Sequence, residues 1–419
     1  MQRGTNLPAL GGYNQAVILD LIRRSGAGLS RVELAGQTGL SAQTVSNVTK
    51  RLLQDGVVVE SGKSSSGPGK PRTILQLEAS ARVAIGVHLD PAVITYVVLD
   101  LEGAVIAHSR SLTPSAIDPA SVIASIAASI DALVEEAGVA REHVLGVGIA
   151  APGPIDAERG ILIDPPLLPG WEHVSLRDAL LEATGLPVVL EKDVTAAAVA
   201  ELWLQSGPSR DNFAFFYYGT GVGIGLALDH EVVRGASRNA GDAGHIMVDD
   251  EGRRCSCGRR GCLGDLILPK RLVQEAARRG LFDGLEGAGA FPAAEAELDA
   301  ARVTRGLELI AERAAAGDDA AAAILHGVAA HIARAVVTVV NLLDIDHVVF
   351  GGPFWAPLSR VVLAEVPELI DRHPALVQPH GVVVTESSTG EDVTAIGAAC
   401  LVLDHTFSPR PSALLISRV

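Results

Sequence analysis

The pattern of apolar and polar positions changes character near residue 80. Before that point, apolar residues recur at helical spacing in three short runs, and two brief β-type runs follow at 57–60 and 74–77. Beyond it, β-rich runs such as 83–89 alternate with long helical runs such as 119–137. This order predicts a small N-terminal unit followed by an α/β body.

The N-terminal unit has the element order of a winged helix-turn-helix. A first helix is predicted over 13–24, and a second begins at Ser30, because Ser30 and Glu33 have the form of a capping box. A third helix, which Ser41 can cap, runs to Asp55, and the two β-type runs follow as a wing. In this fold the second helix of the pair enters the major groove of DNA.

The third helix has a polar surface that suits DNA. Val45, Val48 and Leu52 form its apolar stripe, and the other faces carry side chains that can read base edges or grip phosphates. The candidate DNA-binding residues are Ser41, Gln43, Thr44, Ser46, Asn47, Lys50 and Arg51. A merely solvated helix face is the alternative interpretation. The complete element order favours DNA.

The segment 61–72 between the two β-type runs is rich in Gly, Ser and Pro and carries Lys63, Lys70 and Arg72. A loop with no further role is one interpretation. The other, which the neighbouring helix pair favours, is a basic arm that contacts phosphates or a narrow minor groove.

Charge is divided unevenly along the 419 residues, whose formal net charge is −15. Residues 1–78 hold nine Lys and Arg against five Asp and Glu, a balance of +4, so the remainder carries −19. A polyanion favours basic surfaces, which restricts DNA binding to the N-terminal unit. No run of about 18 uncharged apolar residues and no secretory signal is recognisable, so we expect a cytoplasmic protein with no membrane contact.

Three of the four cysteines fall within eight positions, at Cys255, Cys257 and Cys262, and His245 lies ten residues before the first of them. In a reducing compartment this spacing favours metal binding over disulfides. A Cys3His set satisfies tetrahedral zinc and leaves no open coordination position, so we predict a structural Zn²⁺. Cysteines gathered by chance are the alternative.

Two glycine-rich turns follow strand-like runs, at 219–225 and at 351–352. Such turns can present backbone amides to phosphate. A tight hairpin is an equally good interpretation of the first, and the same alternative applies to the second.

From Asn14 onward the chain resembles the ROK family of repressors and sugar kinases. The most specific segment is Gly241-Asp242-Ala243-Gly244-His245, followed by the CxCGxxGC loop that holds the three clustered cysteines. Further similar segments occur in family order at 151–156, 168–171, 191–198 and 219–262. The likeness is greatest to the repressor branch, which joins a winged helix to a kinase-like body. It implies an α/β body of two lobes, of the actin-like, ribonuclease H-like ATPase type, with a cleft between them.

Pattern and resemblance together predict three units. Residues 1–80 form the winged helix-turn-helix, residues 81–208 the first α/β lobe, and residues 209–391 the second lobe with the zinc loop 245–262. A C-terminal helix over 392–405 is expected to complete the first lobe.

The resemblance also implies roles in the cleft. The family's zinc ligands correspond to His245 and the three clustered cysteines, and the same histidine lies against the sugar. The family's general base corresponds to Asp193, its asparagine partner is replaced by Lys192, and the acidic residue before the Gly-His pair is Asp242. The ligand-binding candidates are therefore Lys192, Asp193, Asp242 and His245. Lys192 either recognises an acidic sugar or forms a salt bridge with Glu191 or Asp193.

The phosphate-binding turn departs from the kinase members. They carry Asp-x-Gly-x-Thr after the first strand, whereas this chain has His88-Leu89-Asp90-Pro91-Ala92. Pro91 has no N–H to donate, Ala92 has no hydroxyl, and Asp90 repels phosphate. Because phosphoryl transfer depends on positioning and charge neutralisation, we predict that the body does not catalyse and that Asp193 is a vestigial base.

These observations predict a DNA-binding transcriptional regulator, with repression as the expected mode. Its partners are double-stranded operator DNA and, from the resemblance alone, a sugar or sugar derivative that links it to carbohydrate genes. We expect a dimer or tetramer, since paired recognition helices must meet half-sites ~34 Å apart. An active ATP-dependent sugar kinase with a DNA-binding head is one alternative, and a regulator controlled by a protein partner is another.

Overall fold

The computed structural model describes residues 7–64, 71–114, 118–204, 211–284, 291, 298–377 and 379–407. The described residues between 7 and 77 form the small N-terminal unit that the pattern predicts, here called the head. Its helices are α1 (Leu7–Ser25), α2 (Arg31–Thr38) and α3 (Ala42–Gln54). Its strands, β1 (Leu29–Ser30), β2 (Val58–Ser64) and β3 (Arg72–Leu77), form an antiparallel sheet in the order β1-β3-β2.

The caps of the head helices confirm the sequence interpretation. The Ser30 side chain accepts a hydrogen bond from the Glu33 N–H, and the Glu33 carboxylate accepts one from the Ser30 N–H. Ser41 caps α3 through the Thr44 N–H. The predicted start of α1 was wrong by six residues, because the helix begins at Leu7 and runs through two glycines that lower helix propensity without forbidding a helix.

The first lobe of the body is built on a five-stranded sheet with the order β10-β7-β4-β5-β6. Its strands are β4 (Val83–Leu89), β5 (Val93–Asp100), β6 (Val105–Leu112), β7 (Val144–Ala151) and β10 (Val188–Lys192). The β4, β7 and β10 strands are parallel, and β5 is antiparallel to both β4 and β6. Helices α4 (Pro119–Glu136) and α5 (Leu176–Thr184) cover one face, and a short hairpin joins β8 (Ile155–Asp156) to β9 (Ile161–Leu162).

Helix α6 (Asp193–Leu204) leads from this sheet to the second lobe, whose sheet has the order β13-β12-β11-β14-β15. The strands are β11 (Phe213–Tyr218), β12 (Val222–Leu228), β13 (Glu231–Val232), β14 (His347–Gly351) and β15 (Val383–Glu386). The helices are α7 (Leu263–Ile267), α8 (Pro269–Arg278), α9 (Ala300–Ala315), α10 (Asp319–Leu343) and α11 (Ala356–Asp371). Among the described residues α10 is long and apolar enough to cross a membrane, but 56% of its most apolar window is buried inside the protein.

The last helix, α12 (Val393–Phe407), lies between the first sheet and α6. Glycines permit backbone contact on both of its sides. A Cβ on Gly148 of β7 would overlap the Ala398 carbonyl, and a Cβ on Gly397 would overlap the Ala196 carbonyl of α6. Since α6 also packs on β11 and β12, these two helices join the lobes into one continuous core.

Candidate DNA-binding surface, metal cluster and ligand cleft

Helix α3 presents the polar surface that the sequence predicts. Val45, Val48 and Leu52 are at most 3% exposed and pack into the head. Ser41, Gln43, Ser46, Asn47, Lys50 and Arg51 are exposed, and Thr44 is half-buried. Within the part of the chain that the structure describes, Lys50 and Arg51 have no ion pair, so both charges are available to an external anion.

The wing is a hairpin whose strands are longer than predicted. A bulge between Glu60 and Gly62 lets β2 continue to Ser64, opposite an exposed Arg72 at the start of β3. The strand ends predicted at residues 60 and 74 were therefore wrong, because a bulge absorbs one extra residue without ending the pairing. The side chain of Lys63, all of Lys70 and the arm between 65 and 70 lie outside the described residues.

The predicted metal ligands come together in space. One ligand atom from each of His245, Cys255, Cys257 and Cys262 lies within 4.8 Å of the others. The His245 Nδ1 and the Cys255 Sγ are 3.5 Å apart, and the Cys257 Sγ and the Cys262 Sγ are 3.6 Å apart. Sulfur atoms bound at about 2.3 Å on a tetrahedral Zn²⁺ have this separation, so the donor set fits the ion.

Burial and backbone contacts shape the loop that holds this cluster. Burial raises the pKa of Cys262 to about 12, which favours its neutral thiol, whereas a hydrogen bond from the Arg259 N–H lowers the pKa of Cys257. The Cys255 N–H donates to the Arg259 carbonyl. Gly261 lies so close to the Asp249 backbone that a Cβ on it would overlap the Asp249 carbonyl. The loop is also tied to α10, because Arg334 donates to the Val248 carbonyl at 2.7 Å.

The position of the predicted cleft, where β10 and α6 meet the second lobe, contains a carboxyl group with a raised pKa. Asp193 is half-buried at the first turn of α6, directly after the end of β10. Burial raises the pKa of Asp193 to about 6, the neighbouring Lys192 ammonium limits the rise, and Asp90 and Asp242 add to it. Asp242 is itself exposed. Asp90 and Asp242 therefore both lie within electrostatic reach of Asp193.

Lys192 does not make the salt bridge to Glu191 that the sequence suggested. The Lys192 side chain is buried, and its amine donates to the carbonyls of Asn239 and Ala240 at 3.2 Å each. The salt-bridge alternative, to Glu191 or Asp193, was wrong because it considered only charged partners nearby in the chain, and the acidic-sugar alternative stays a prediction. The carbonyls come from a segment 47 and 48 residues away.

Glu191 holds the same segment of the second lobe through charge. Its carboxylate, 1% exposed, accepts from Arg234 at 2.7 Å and from Arg238 at 2.9 Å. The Asn239 side chain adds two hydrogen bonds to the backbone of Ile155 in the first lobe. The two lobes are therefore fastened together beside Asp193, a feature that no sequence spacing indicated.

The phosphate-binding turn is occupied by a side chain of the protein itself. The Asp90 carboxylate accepts from the Thr220 hydroxyl at 2.7 Å and from the Ala92 N–H at 2.8 Å. Gly219 and Gly221 form the turn of an antiparallel hairpin between β11 and β12, as the alternative interpretation of that segment proposed. The Thr220 hydroxyl and the Ala92 N–H, which could otherwise donate to a phosphate, are therefore bonded to the Asp90 carboxylate.

His88 lies at the first position of this turn, the position that the resemblance aligns with the first residue of Asp-x-Gly-x-Thr. It is 3% exposed, and burial lowers its pKa, partly opposed by Asp90. Its Nε2 lies 3.5 Å from the Tyr217 hydroxyl. The start of the turn is therefore a buried imidazole that packs against the second lobe.

Comparison with known proteins decides the family. A sequence model of the ROK family matches residues 84–405. The chain belongs to the ROK family. A model described as winged helix-turn-helix DNA-binding matches residues 17–59, which include α2 and α3. The predicted fold class, a winged helix-turn-helix followed by a ROK body, is confirmed.

ROK relatives of this chain include repressors and kinases. The xylose repressor of Caldicellulosiruptor bescii is 24% identical over 380 residues, covering 91% of this chain and 93% of that protein. The glucokinase of Thermotoga maritima is 30% identical over 267 residues, covering 62% of this chain and 79% of that protein. A crystal structure of a ROK family transcriptional regulator, a homologue of the E. coli MLC protein, shares the fold with a TM-score of 0.76 at 23% identity and covers 95% of this chain and 98% of that chain.

Proposed function

We propose that this ROK protein is a DNA-binding transcriptional repressor that responds to a sugar bound in its body. The observation that carries the proposal is the exposed polar face of α3 on a winged head joined to a ROK body in one chain. The similarity to the xylose repressor extends over 380 residues, more than the ROK match over 84–405 contains, so it includes part of the head.

DNA selection with the full chain tests this function. Purified protein selects duplexes from a random library, and their release is then measured with D-xylose, D-glucose and the corresponding sugar phosphates. We expect one selected sequence family and release by at least one sugar. Retention of no sequence above background refutes DNA-binding regulation, and retention without release by any sugar refutes the sugar-responsive part.

For the ligand site we propose Lys192, Asp193, Asp242 and His245. Carboxylates accept hydrogen bonds from sugar hydroxyls, and Asp193 and Asp242 supply two of them. The Lys192 amine already gives two of its N–H donors to carbonyls, and its side chain is buried, so few of its donors are left for an anionic sugar. We therefore expect a neutral sugar to release DNA more effectively than its phosphate.

We further propose that the body is not a kinase. The Asp90 carboxylate is bonded to Thr220 and Ala92, and its negative charge repels a nucleotide phosphate. His88 removes an oxygen ligand of the kind that Mg²⁺ prefers. An assay of ADP release over the same sugars is expected to show no turnover above the protein-free blank, and robust turnover would restore the kinase alternative.

The cofactor that we propose is one structural Zn²⁺ held by His245, Cys255, Cys257 and Cys262. When bound, it supplies the positive charge that three clustered thiolates require. Metal analysis of protein purified without added zinc is expected to give one zinc per chain and none in Cys255→Ser. A full complement of zinc in that variant would contradict the assignment.

We propose a cytoplasmic homodimer or tetramer, divided into a head (1–80), a first lobe (81–208 with the C-terminal helix 392–405) and a second lobe (209–391). Paired heads suit DNA half-sites about one helical turn, ~34 Å, apart. Light scattering on the purified chain gives the oligomeric state, and a monomer at the concentration that binds DNA would refute the dimer.

A further inference from the structure

We propose that α6 couples the ligand cleft to the DNA-binding head, through a contact between Trp203 at its C-terminal end and Arg23 of α1. The inference rests on the proposed function and deepens it, because it names the part of the body that transmits the signal. Three observations carry it: the position of the two ends of α6, the geometry of the Arg23–Trp203 contact, and the packing of α1 on α3.

One end of α6 lies in the cleft. The helix begins at Asp193, and the two residues before it, Glu191 and Lys192, fasten the end of β10 to the second lobe. The helix contains twelve residues, so its ends are about 17 Å apart at 1.5 Å per residue. Most of its residues are buried between the lobes. A shift at the Asp193 end is therefore carried by a single rigid element to the other end.

The other end of α6 meets the head. The guanidinium of Arg23 lies over the Trp203 ring at 3.9 Å from the ring centroid, and it donates to the Trp203 carbonyl at 3.0 Å. The Arg23 side chain is only 14% exposed and is held by Asp20 at 2.8 Å. Two kinds of contact to one residue fix both the direction and the distance of α1 relative to the end of α6.

Helix α1 is in turn part of the core of the head. Ile18 and Ile22 of α1 are buried with Val45 and Leu52 of α3 in one cluster. The apolar stripe of the recognition helix therefore rests on the helix that Trp203 holds. A displacement of α6 alters the position of α1 and, through it, of the polar face of α3.

The same turn of α1 offers an internal control. Arg24 also pairs with Asp20, at 2.9 Å, but it is 49% exposed and reaches His230 in the turn after β12 at 3.0 Å instead of Trp203. An Arg24→Met variant removes an equivalent charge from the same surface and leaves the contact to α6 intact. An Arg23→Met variant removes that contact, and Arg23→Lys retains the charge beside Asp20 while losing the planar stack.

Hydrogen exchange with and without DNA tests the coupling, using the full chain and the duplex obtained by selection. Coupling is reciprocal, so DNA bound to the head must change α6. We expect DNA to change the exchange rate of the amides of residues 201–204 by at least about threefold in the wild type and in Arg24→Met. In Arg23→Met and Arg23→Lys the change should vanish while the dissociation constant of the duplex stays within about threefold of the wild type.

Each outcome separates this inference from the proposed function. If no duplex is retained by the wild type, the proposed function fails and the inference fails with it. If the wild type binds DNA but residues 201–204 exchange unchanged, only the coupling through α6 is refuted. Persistence of the change in both Arg23 variants, each folded by circular dichroism, refutes the Arg23–Trp203 contact as the link.

Discussion

Helix α3 of the head and the turn at 88–92 of the body differ in whether their polar groups are bonded within the chain. On α3, Lys50 and Arg51 project into solvent and have no ion pair within the described residues. In the body, the Thr220 hydroxyl and the Ala92 N–H donate to the Asp90 carboxylate. The two charges of α3 are open to an external partner, whereas the donors at the turn are satisfied inside the protein.

The comparison shows how one chain separates two tasks. The Lys50 and Arg51 charges are unpaired within the described residues, so their removal is expected to harm binding and spare folding. Other candidates on α3 are already bonded, since Ser41 caps the helix and Gln43 donates to Asn47. Polar groups that are satisfied inside the chain contribute to the native state, so their removal harms folding first. Substitutions in α3 and in the cleft are therefore expected to separate DNA affinity from stability.

The largest effect is expected from Glu191→Gln in the cleft. The substitution removes the buried carboxylate that Arg234 and Arg238 share. Breaking a buried ion pair costs 3–5 kcal/mol, and because both arginines can reach water we expect a loss of about 3 kcal/mol in the free energy of unfolding. Urea denaturation measures it. DNA affinity at a temperature where both proteins are folded should stay within about threefold of the wild type, and a larger fall would show that the disturbance at the end of β10 reaches α3.

The converse change is the double substitution Lys50→Ala and Arg51→Ala. Each lysine or arginine that contacts phosphate releases a counterion, so we expect the salt dependence of binding to fall by about two charges and the affinity to fall by about 30-fold, ~2 kcal/mol. Titration of the selected duplex at several salt concentrations measures both quantities. Stability should change by less than about 0.5 kcal/mol, because both side chains are exposed.

If the variant binds DNA with unchanged affinity and unchanged salt dependence, these two side chains face solvent in the complex and do not contact phosphate. Arg31→Ala is a useful control, since Arg31 lies in the head but is engaged with Thr49 and Glu60. Its loss is expected to lower stability more than affinity.

Local sequence signals predicted the head and the metal cluster well. The Ser30–Glu33 capping box, the Ser41 cap and the apolar stripe of α3 depend on residues three or four apart, and the structure confirms all three. The three cysteines and His245 lie within 18 positions and also come together. Such features can be predicted from sequence because each is formed by residues that are close together along the chain.

Contacts between distant segments could not be predicted in this way. The Thr220–Asp90 hydrogen bond joins residues 130 positions apart, and the Arg23–Trp203 contact spans 180 positions. Lys192 is an example of a contact that the sequence did not reveal. Its partners are backbone carbonyls, and because every residue has one, no sequence pattern indicates which of them Lys192 will contact. The fold determines which carbonyl is near, so such partners become visible only in three dimensions.

A third prediction concerns the pH dependence of stability in the cleft. Asp193 has a pKa of about 6 in the folded chain against 3.8 for an ordinary aspartate, because burial disfavours its charged form. Between these values the folded state holds a proton that the unfolded state releases, so stability falls as pH rises from about 4 through about 6. Asp193→Asn cannot ionise and should lose this slope.

The rise of the Asp193 pKa from 3.8 to about 6 corresponds to about 3 kcal/mol at full burial. Because Asp193 is half-buried and partly screened by water, we expect Asp193→Asn to be more stable than the wild type by about half of this, ~1.5 kcal/mol, at pH 7.5, and about equally stable at pH 4. Denaturation at a series of pH values measures the difference. An opposite sign, with the wild type more stable at high pH, would mean that the Lys192 ammonium stabilises the carboxylate more than burial penalises it.

The smallest effect is expected at the boundary of the two regions, in the contact between Arg23 and the Trp203 ring. The Trp203 indole N–H is buried without an acceptor among the described residues, so Trp203→Phe sacrifices no hydrogen bond while weakening the attraction of the ring for the guanidinium. A double-mutant cycle with Arg23→Met isolates that attraction. Arg23→Met removes the hydrogen bond to the carbonyl of residue 203 whether that residue is Trp or Phe, so the bond cancels in the coupling energy. We expect a coupling energy of about 1 kcal/mol in urea denaturation. Additivity within ~0.3 kcal/mol would show that the ring only fills space, and Arg23 would then hold α6 through its hydrogen bond to the Trp203 carbonyl alone.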